Sequence, residues 1–397
     1  MEDYNSESET ETFSESEAGD TKDIQGEQTG ESQPDDEERQ RRQEELNEKL
    51  VEAAWEGKNE EVIQHISNGA EIYSTNSGRE TGLHISARRG HKDVLQTFIS
   101  HKADLNILDG DQMTPLVNAA YYGQLSCAQI LLTHGADTDL KDKDGMTALM
   151  YAAKDNYVDI IASLLAAGAD DQIQDNHGRD ALKWAEKEKN QNAIRMLTAW
   201  KKSNVSQEMM IAAEEGKWRL VTGLIIAGAD LETRNAQGET GLHLSAKKGQ
   251  KDVLQTFITH KADLNILGYN QWTPLIKAAN YGQLSCAQLL LAHGADIDMK
   301  DVDGRTALAN AAKCNRLDVI GSLLAHGANN QIQDVEGRDA LKWAEEENNK
   351  DAIRMLTAWK ESNVSQEMMT AAEEGRSSLV SGLIIAINWS GSCHQVW

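Results

Sequence analysis

The hydrophobic residues of this chain recur in short clusters with helical spacing, and polar stretches rich in Gly and Asp separate them. Residues 114–145 show one such unit. Thr114 suits an N-cap, and Pro115 suits the first helical position, where its missing N–H costs nothing. Leu116, Ala119 and Ala120 then form a narrow apolar face, and Gly123 ends the segment. The pattern predicts a short first helix that can approach its neighbours closely.

A second apolar segment follows within the same unit. Leu125, Ala128 and Leu131 fall on one helical face, and Gly135 closes the predicted helix. The remaining residues, 136–145, are polar and rich in Asp, which favours a hairpin-like turn. Each unit is therefore predicted to contain two helices and a loop.

The unit repeats with a constant period. The residue that opens the first helix recurs every 33 positions, apart from two shorter steps of 27. These opening residues are Glu48, Thr81, Thr114, Thr147, Asp180, Gln207, Thr240, Thr273, Thr306, Asp339 and Gln366. Residues 81–206 match residues 240–365, which lie 159 positions later, at about seven positions in ten. The chain is therefore a tandem duplication of a five-repeat block.

We predict five parts along the chain. Residues 1–47 form an acidic tail that ends in a short charged helix, 48–206 form block 1, and 207–365 form block 2. A truncated repeat, 366–386, and a divergent tail, 387–397, follow. One repeat alone cannot bury its apolar face, so the repeats must stack on one another. The predicted fold class is an all-α solenoid.

The segments "TGLHISARRGHKDVLQTFI", "TPLVNAAYYGQ" and "HGAD" closely resemble the ankyrin repeat, whose pattern is Thr-Pro-Leu-His-x-Ala-Ala followed by a Gly-Ala-Asp turn. The resemblance covers residues 48–386. It implies a curved solenoid of antiparallel helix pairs with projecting loops, here called fingers, along one edge. It also implies that histidines such as His84 and His134 hydrogen-bond between repeats or end second helices.

The fifth repeat of each block lacks its finger. Residues 180–206 and 339–365 are six residues shorter than the other repeats, although the Asp that opens each can still cap a helix. Two arrangements remain open. One is a continuous ten-repeat stack with an interrupted row of fingers, and the other is two stacks with a hinge near 202–207. We expect Trp184 to fill the core and Trp200 to cover the surface left by the missing finger.

Lys102 and Lys261 stand where six other repeats have Gly. The resemblance implies a left-handed backbone at this position, which suits Gly and costs a residue with a Cβ atom about 1 kcal/mol. We therefore predict that Lys102→Gly stabilises the fold.

The N-terminal segment is strongly acidic. Residues 1–38 contain fifteen acidic groups and one basic group, Lys22. Such a segment buries too little apolar surface to offset the entropy lost on folding, so we expect it to be disordered. Residues 38–50 favour a helix, which either leads into the first folded helix or forms a short coiled coil. Phosphorylation candidates for an acid-directed kinase, each with an acidic residue three places on, are Ser6, Ser8, Thr12 and Ser14.

Charge and composition exclude several classes of function. A formal charge of −25 argues against non-specific binding to nucleic acid or anionic membranes. No run approaches the length of a membrane span, and the N-terminus lacks a signal-peptide pattern, so we expect a cytoplasmic or nuclear protein. Cys127, Cys286, Cys314 and Cys393 show no disulfide or zinc spacing and are expected to be reduced core residues.

Candidate catalytic and metal sites are weak. Residues 142–145 and 301–304 hint at calcium loops but lack the distal Glu, so we expect ordinary turns. Residues 388–390 match a glycosylation sequon, which we attribute to chance. No paired nucleophile and base, P-loop or dinucleotide motif is present in the sequence. We therefore expect no enzymatic activity and no cofactor.

The resemblance implies that partners bind the concave face, at the finger tips and at the ends of the first helices. The helix-end positions are Arg88, Arg89, Tyr121, Tyr122, Lys154 and Asp155 in block 1, and Lys247, Lys248, Asn280, Tyr281, Lys313 and Cys314 in block 2. The finger positions are Asp111, Met113, Met146, Arg179, Tyr269, Asn270, Trp272, Arg305 and Arg338. Tyr, Trp and Arg are the residue types that dominate interface hot spots.

These features favour an adaptor or scaffold that binds one or more proteins through a partly acidic segment. We expect a monomer, with self-association through the truncated repeat as the alternative. A second hypothesis is regulatory: the acidic tail, especially when phosphorylated, competes with ligand for the basic surface. A third is that the chain is the N-terminal part of a larger enzyme or signalling protein.

Overall fold

The computed structural model describes the backbone of residues 34–361 and 363–392 and the side chains of residues 36–361 and 363–387. These residues form helices and turns, with one isolated β-bridge and no strand in the described part of the chain. The predicted all-α class is therefore confirmed.

Each repeat contributes a first and a second helix. The first helices are α1 (Pro34–Glu56), α3 (Gly82–Arg89), α5 (Pro115–Tyr121), α7 (Ala148–Lys154), α9 (Ala181–Lys187), α11 (Val205–Glu215), α13 (Gly241–Lys248), α15 (Pro274–Tyr281), α17 (Ala307–Lys313), α19 (Ala340–Glu346) and α21 (Val364–Glu373). The second helices are α2 (Asn59–Ser67), α4 (Lys92–Ser100), α6 (Leu125–Thr133), α8 (Val158–Ala166), α10 (Gln191–Lys201), α12 (Trp218–Ile226), α14 (Lys251–Thr259), α16 (Leu284–Ala292), α18 (Leu317–Ala325), α20 (Lys350–Lys360) and α22 (Ser377–Ser392). A short 3-10 helix, Tyr269–Gln271, lies in one finger of block 2.

The described residues divide into two compact units, one that ends at Glu45 and one that begins at Leu46. In the described part of the first unit, α1 carries an ion pair between Arg42 and Glu38, one turn apart, at 2.5 Å. In the second unit, each second helix packs against the next in a row from α2 to α22. Neighbouring first helices pack likewise from α3 to α9 and from α11 to α19.

The sequence signals for helix ends act as predicted. The Thr114 hydroxyl accepts a hydrogen bond from the Val117 N–H at 3.1 Å, and Pro115 follows it at the first helical position. The Asp carboxylate that opens each fingerless repeat caps α9 and α19 in the same way. Gly123 and Gly135 adopt left-handed conformations after α5 and α6. The caps thus fix where each short helix begins and ends.

The fingers are tight turns that hydrogen-bond to one another. Within a finger, one backbone N–H reaches the carbonyl four residues later, as from Asp142 to Met146 at 3.0 Å. Between fingers, the Lys143 N–H donates to Asp111 O at 3.2 Å, and the Asn176 N–H donates to the carbonyl of Asp144. These bonds join separate repeats along the edge of each block.

The fingerless fifth repeat changes the packing at the block boundary. Helix α10 ends at Lys201 and α11 already begins at Val205, so no finger separates them. Helix α12 then packs against α8, two repeats earlier, as well as against α10. This close approach needs Gly223, because a Cβ atom there would lie 2.7 Å from Val158 Cγ1. The proposed hinge region is therefore bridged by direct helix contact.

The same packing recurs at the end of block 2. Helix α22 packs against α18, and a Cβ atom on Gly321 would lie 2.2 Å from the carbonyl oxygen of Gly382. Helix α22 also runs to Ser392, past the predicted boundary at residue 386. The reason is that Ile387 replaces the left-handed Gly that ends the equivalent helix α12.

The two tryptophans of the first fingerless repeat have different surroundings. Trp184 is 6% exposed, as predicted, and its Nε1–H donates to Asp175 Oδ2 at 3.1 Å. Trp200 is half-buried and packs against the core from α10.

Residues 38–50 belong to α1, which continues without a break to Glu56, so they lead into the first folded helix.

Candidate partner-binding surface

Aromatic rings and cations form a continuous row along the first helices of block 1. Successive members come from successive repeats, because the same helix positions recur every 33 residues. We call this row the cation–aromatic strip. Its members are Trp55, Arg88, Arg89, Tyr121, Tyr122, Tyr151, Lys154, Trp184 and Lys187.

The strip begins at Trp55, which is 42% exposed near the end of α1. The Arg89 guanidinium lies 4.3 Å from the centroid of the Trp55 ring, and Arg88 lies 4.9 Å from it. Arg88 also lies 5.8 Å from the Tyr122 ring and pairs with Glu80 at 3.1 Å. A cation held on a ring face keeps its N–H donors available for a carboxylate.

Three tyrosines form the middle of the strip. The Tyr121 ring centroid lies 4.8 Å from that of Tyr122 and 4.8 Å from that of Tyr151, in tilted geometry. The Tyr151 hydroxyl donates to Asp142 Oδ2 at 2.6 Å. Burial and this hydrogen bond raise the pKa of Tyr151 well above its usual range, so the group remains a neutral donor. Tyr121 and Tyr122 stay exposed and form the accessible part of this cluster.

The C-terminal end of the strip is formed by Trp184 with Lys154 and Lys187. The Lys154 ammonium lies 5.9 Å from the Tyr151 ring and 5.3 Å from the Trp184 ring, and Lys187 lies 4.3 Å from Trp184. Among the described residues, no carboxylate oxygen lies within 4.0 Å of the side-chain nitrogens of Arg89, Lys154 or Lys187. These three cations are therefore held by rings and remain available to a ligand.

Five finger turns are built on a buried Asp. Asp142 Oδ1 accepts the N–H groups of Asp144 and Met146, at 2.9 and 2.8 Å, while Oδ2 accepts the Tyr151 hydroxyl. The same arrangement, with the partner side chain nine residues later, occurs at Asp109 with Asn118, Asp175 with Trp184, Asp301 with Asn310 and Asp334 with Trp343. Residues 142–145 and 301–304 lie in these turns, as the sequence predicted.

Several finger residues that were predicted to contact partners instead contact other residues of this chain. Met146 is 5% exposed, so its predicted place on the surface is wrong; the turn folds its side chain into the core. Arg179 Nε donates to Asp175 Oδ2 at 2.9 Å, and its guanidinium lies 4.0 Å from the Trp184 ring. Burial alone would raise the pKa of Asp175, but the hydrogen bonds and charge of Arg179 lower it.

Block 2 repeats this use of arginine. Arg305 donates to Asp301 at 3.0 Å and Arg338 donates to Asp334 at 2.9 Å, each through Nε. The guanidinium of Arg338 lies 3.9 Å from the centroid of the Trp343 ring. These arginines are half-buried and stabilise the turn, so only part of each guanidinium faces solvent.

The finger that varies most between the copies also divides into buried and exposed parts. Met113 and Trp272, at equivalent positions, are half-buried and pack against the core. The Lys277 ammonium lies 4.5 Å from the Trp272 ring and pairs with Glu239 at 2.5 Å, and both charged groups are buried. Tyr269 is 65% exposed, so it is an aromatic side chain of this finger that a partner can reach.

The strip positions of block 2 have different neighbours. Lys248 Nζ lies 3.2 Å from Glu214 Oε1, and Lys247 lies 5.5 Å from the Tyr281 ring and 4.0 Å from a Glu239 oxygen. Lys313 lies 4.3 Å from the Trp343 ring and 4.0 Å from Glu347, and Cys314 Sγ lies 3.2 Å from Asn280 Oδ1. The predicted helix-end cations of block 2 are thus all near acidic groups of the chain.

The histidines and cysteines have structural surroundings. His84 Nδ1 accepts from the Thr81 N–H, and its Nε2–H donates to the Ile107 and Met113 carbonyls in the finger of the same repeat. Burial raises the pKa of the Cys127 and Cys286 thiols to about 11, so both remain protonated at neutral pH. Cys314 differs from the prediction, because it is half-buried at the end of α17 and not in the core.

Tyr151, Trp55 and Lys187 were not among the contact residues that the sequence predicted, and Trp55 and Lys187 share one signal. Both lie 33 residues from a predicted contact residue, Trp55 before Arg88 and Lys187 after Lys154. The repeat period was therefore the signal that could have found them.

Some predicted features lie outside the described residues. They are Ser6, Ser8, Thr12, Ser14, Lys22, Cys393 and the side chains of residues 388–390. Within the described residues, no helix has the length and apolar character needed to cross a membrane. No group of three or more metal-binding side chains converges in the described part of the chain.

Comparison with known proteins agrees with the repeat geometry. The family described as ankyrin repeats (three copies) matches residues 50–142, 118–208, 209–301 and 298–367. The ankyrin repeat proteins RF_p14 and RF_pd14 of Rickettsia felis are each 37% identical to this chain over 54 residues. Each match covers 14% of this chain, and 86% and 82% of those two proteins, respectively.

Proposed function

Because the chain belongs to the ankyrin repeat family, whose members generally mediate protein–protein interactions, we propose that it is a non-enzymatic adaptor that binds partners through the cation–aromatic strip. The partner supplies a segment that lies along the first helices of block 1 and carries acidic side chains. The block 1 residues in contact are Arg88, Arg89, Tyr121, Tyr122 and Lys154, together with Trp55 and Lys187.

One observation carries this proposal. Arg89, Lys154 and Lys187 are held against aromatic rings, at 4.3 to 5.9 Å from ring centroids, without a carboxylate partner among the described residues. A carboxylate of a ligand can therefore bind these cations without displacing an acidic group of the chain. Exposed tyrosines beside them supply the large contact area typical of interface hot spots.

The test is affinity capture from the native cell with the full chain and two variants. The first variant changes Arg88, Arg89, Tyr121 and Tyr122 to Ala, and the matched control changes the equivalent Lys247, Lys248, Asn280 and Tyr281 to Ala. If each hot-spot residue contributes more than about 1 kcal/mol, the first variant should lose at least about 100-fold in affinity for the captured protein. Equal capture by this variant and the unchanged chain would reject the strip as the binding surface.

The acidic N-terminal segment favours a second, regulatory candidate. Residues 1–38 hold fifteen acidic groups, which is the charge that the strip is suited to bind. In this candidate, phosphorylation at Ser6, Ser8, Thr12 or Ser14 strengthens competition with the partner. A chain that lacks residues 1–33 should then bind the captured partner more tightly, and an unchanged affinity would remove this candidate.

A further inference from the structure

The two blocks present different charges at equivalent positions of their first helices. The two equivalent positions at the C-terminal end of each first helix include, in some repeats, the residue that follows the helix. In block 1 they carry Arg88, Arg89, Lys154 and Lys187 against Glu56, Asp155 and Glu188. In block 2 they carry Lys247, Lys248 and Lys313 against Glu214, Glu215, Glu346 and Glu347. The surface therefore changes from a small excess of cations to a small excess of acids.

The pair Trp55 and Glu214 accounts for the first part of this difference. The two residues are equivalent, since they lie 159 positions apart. In block 1 the Arg89 guanidinium stacks 4.3 Å from the Trp55 ring. In block 2 the equivalent Lys248 forms an ion pair with Glu214 at 3.2 Å. A ligand carboxylate can bind Arg89 directly, whereas at Lys248 it must compete with Glu214.

The pair Lys187 and Glu346 accounts for the second part. Lys187 lies 4.3 Å from the Trp184 ring, so a cation stands at the far end of the strip. The equivalent Glu346 in block 2 is acidic and lies 3.4 Å from the Arg338 guanidinium. Lys313 beside it lies 4.0 Å from Glu347. Each block has two carboxylates at this end, Asp155 and Glu188 in block 1 and Glu346 and Glu347 in block 2, but block 1 has two cations there and block 2 has one. An acidic segment is therefore attracted more strongly at this end of block 1.

The aromatic surface between these ends also differs. Tyr121 contacts the rings of Tyr122 and Tyr151 and joins the two halves of the strip in block 1. Its equivalent in block 2 is Asn280, and the equivalent of Tyr151 is Asn310. Among the described residues of block 2, no aromatic pair replaces this contact. The row of rings and cations is continuous only in block 1.

We propose that the duplicated blocks are not two equal binding sites: block 1 binds the acidic segment of a partner, and Trp55 and Lys187 determine that preference. This proposal rests on the proposed function and adds the location and charge of the ligand. In block 2 the substitutions to Glu214 and Glu346 neutralise the equivalent surface toward acidic ligands.

The experiment uses the full chain and a fluorescein-labelled peptide of alternating Glu and Ala, with a peptide of alternating Gln and Ala as the neutral control. Fluorescence anisotropy and titration calorimetry give affinity and stoichiometry. The unchanged chain should bind one acidic peptide, with an affinity that falls as salt rises, and should bind the neutral peptide at least 10-fold more weakly.

Two reciprocal variants test the residues that set the preference. The double variant Trp55→Glu with Lys187→Glu gives block 1 the residues of block 2, which the fold already accepts at equivalent positions, and should weaken binding at least 10-fold. The double variant Glu214→Trp with Glu346→Lys should raise the stoichiometry toward two. Thermal melts of both variants check that the repeats remain folded.

The outcomes separate this proposal from the proposed function. Two peptides bound to the unchanged chain, no binding of the acidic peptide, or equal affinity in the Trp55→Glu, Lys187→Glu variant would each overturn the proposal. After any of these results, capture of a cellular partner can still depend on Arg88, Arg89, Tyr121 and Tyr122. The adaptor function would then remain supported, and only the preference of block 1 for acidic segments would be rejected.

Discussion

Lys102→Gly and Lys261→Gly should stabilise the protein, because both lysines occupy a left-handed backbone position. Their φ angles are 62° and 61°, as the sequence predicted, and the glycines at six equivalent positions have φ between 84° and 97°. At those six glycines an added Cβ atom would meet no atom within 4 Å. The cost of lysine is therefore confined to its own backbone conformation.

The expected gain follows from two opposing terms. A residue with a Cβ atom loses about 1 to 2 kcal/mol in the left-handed region. Glycine gives up about 0.4 to 1 kcal/mol of this gain, because it increases the conformational entropy of the unfolded chain. The net stabilisation is about 0 to 1.6 kcal/mol at each site, and the distant sites should contribute additively.

The assay is urea unfolding of the full chain, followed by far-ultraviolet circular dichroism. The matched control is Lys102→Ala with Lys261→Ala, which removes the same charges and side chains but keeps the Cβ atoms. The glycine double variant should unfold at a higher urea concentration than both the control and the unchanged chain. Glycine variants that are no more stable than the alanine variants would refute the backbone argument.

Three further predictions concern buried contacts. Tyr151→Phe removes the 2.6 Å hydrogen bond to Asp142 and should cost about 1.5 to 3 kcal/mol in urea unfolding, since the carboxylate remains buried. Gly321→Ala places a Cβ atom against the Gly382 carbonyl and should lower the free energy of unfolding by about 1 to 3 kcal/mol. A variant as stable as the unchanged chain would show that α18 and α22 can move apart without cost. Burial lowers the pKa of His243 from 6.5 to about 4. Between these pH values the unfolded chain therefore binds a proton that the native chain excludes. The melting temperature should fall as pH drops from about 6.5 to 4, and it should fall less steeply in His243→Gln.

The sequence was sufficient for the fold because its signals are local and repeated. Thr114, Pro115 and Gly123 act at the helix ends where the pattern placed them, and the Asp residues that open the fingerless repeats still cap. The period of 33 aligned equivalent residues in separate repeats, so one interpreted unit predicted the others.

The packing at the block boundary could not be predicted in the same way. A missing finger of six residues is visible in the sequence, but its consequence is a contact between α8 and α12 from separate repeats. That contact depends on how closely Gly223 approaches Val158, which no local pattern encodes. The sequence therefore left open the choice between a continuous stack and a hinge.

The candidate surface was predicted in part. Exposed helix-end residues such as Arg89 and Tyr122 lie where the repeat geometry placed them. Met146 and Arg179 were assigned to a surface, yet the turn carboxylates direct one into the core and bind the other. Such a choice between solvent and an internal partner depends on tertiary contacts, such as the Arg179 guanidinium over the Trp184 ring.

Hydrogen–deuterium exchange of the full chain, with and without its captured partner, tests the central claim most directly. The account predicts that binding slows amide exchange at the C-terminal ends of α3, α5 and α7, next to the cation–aromatic strip, and leaves the equivalent ends of α13, α15 and α17 unchanged. Slower exchange confined to the second helices, or equal protection of both blocks, would contradict it.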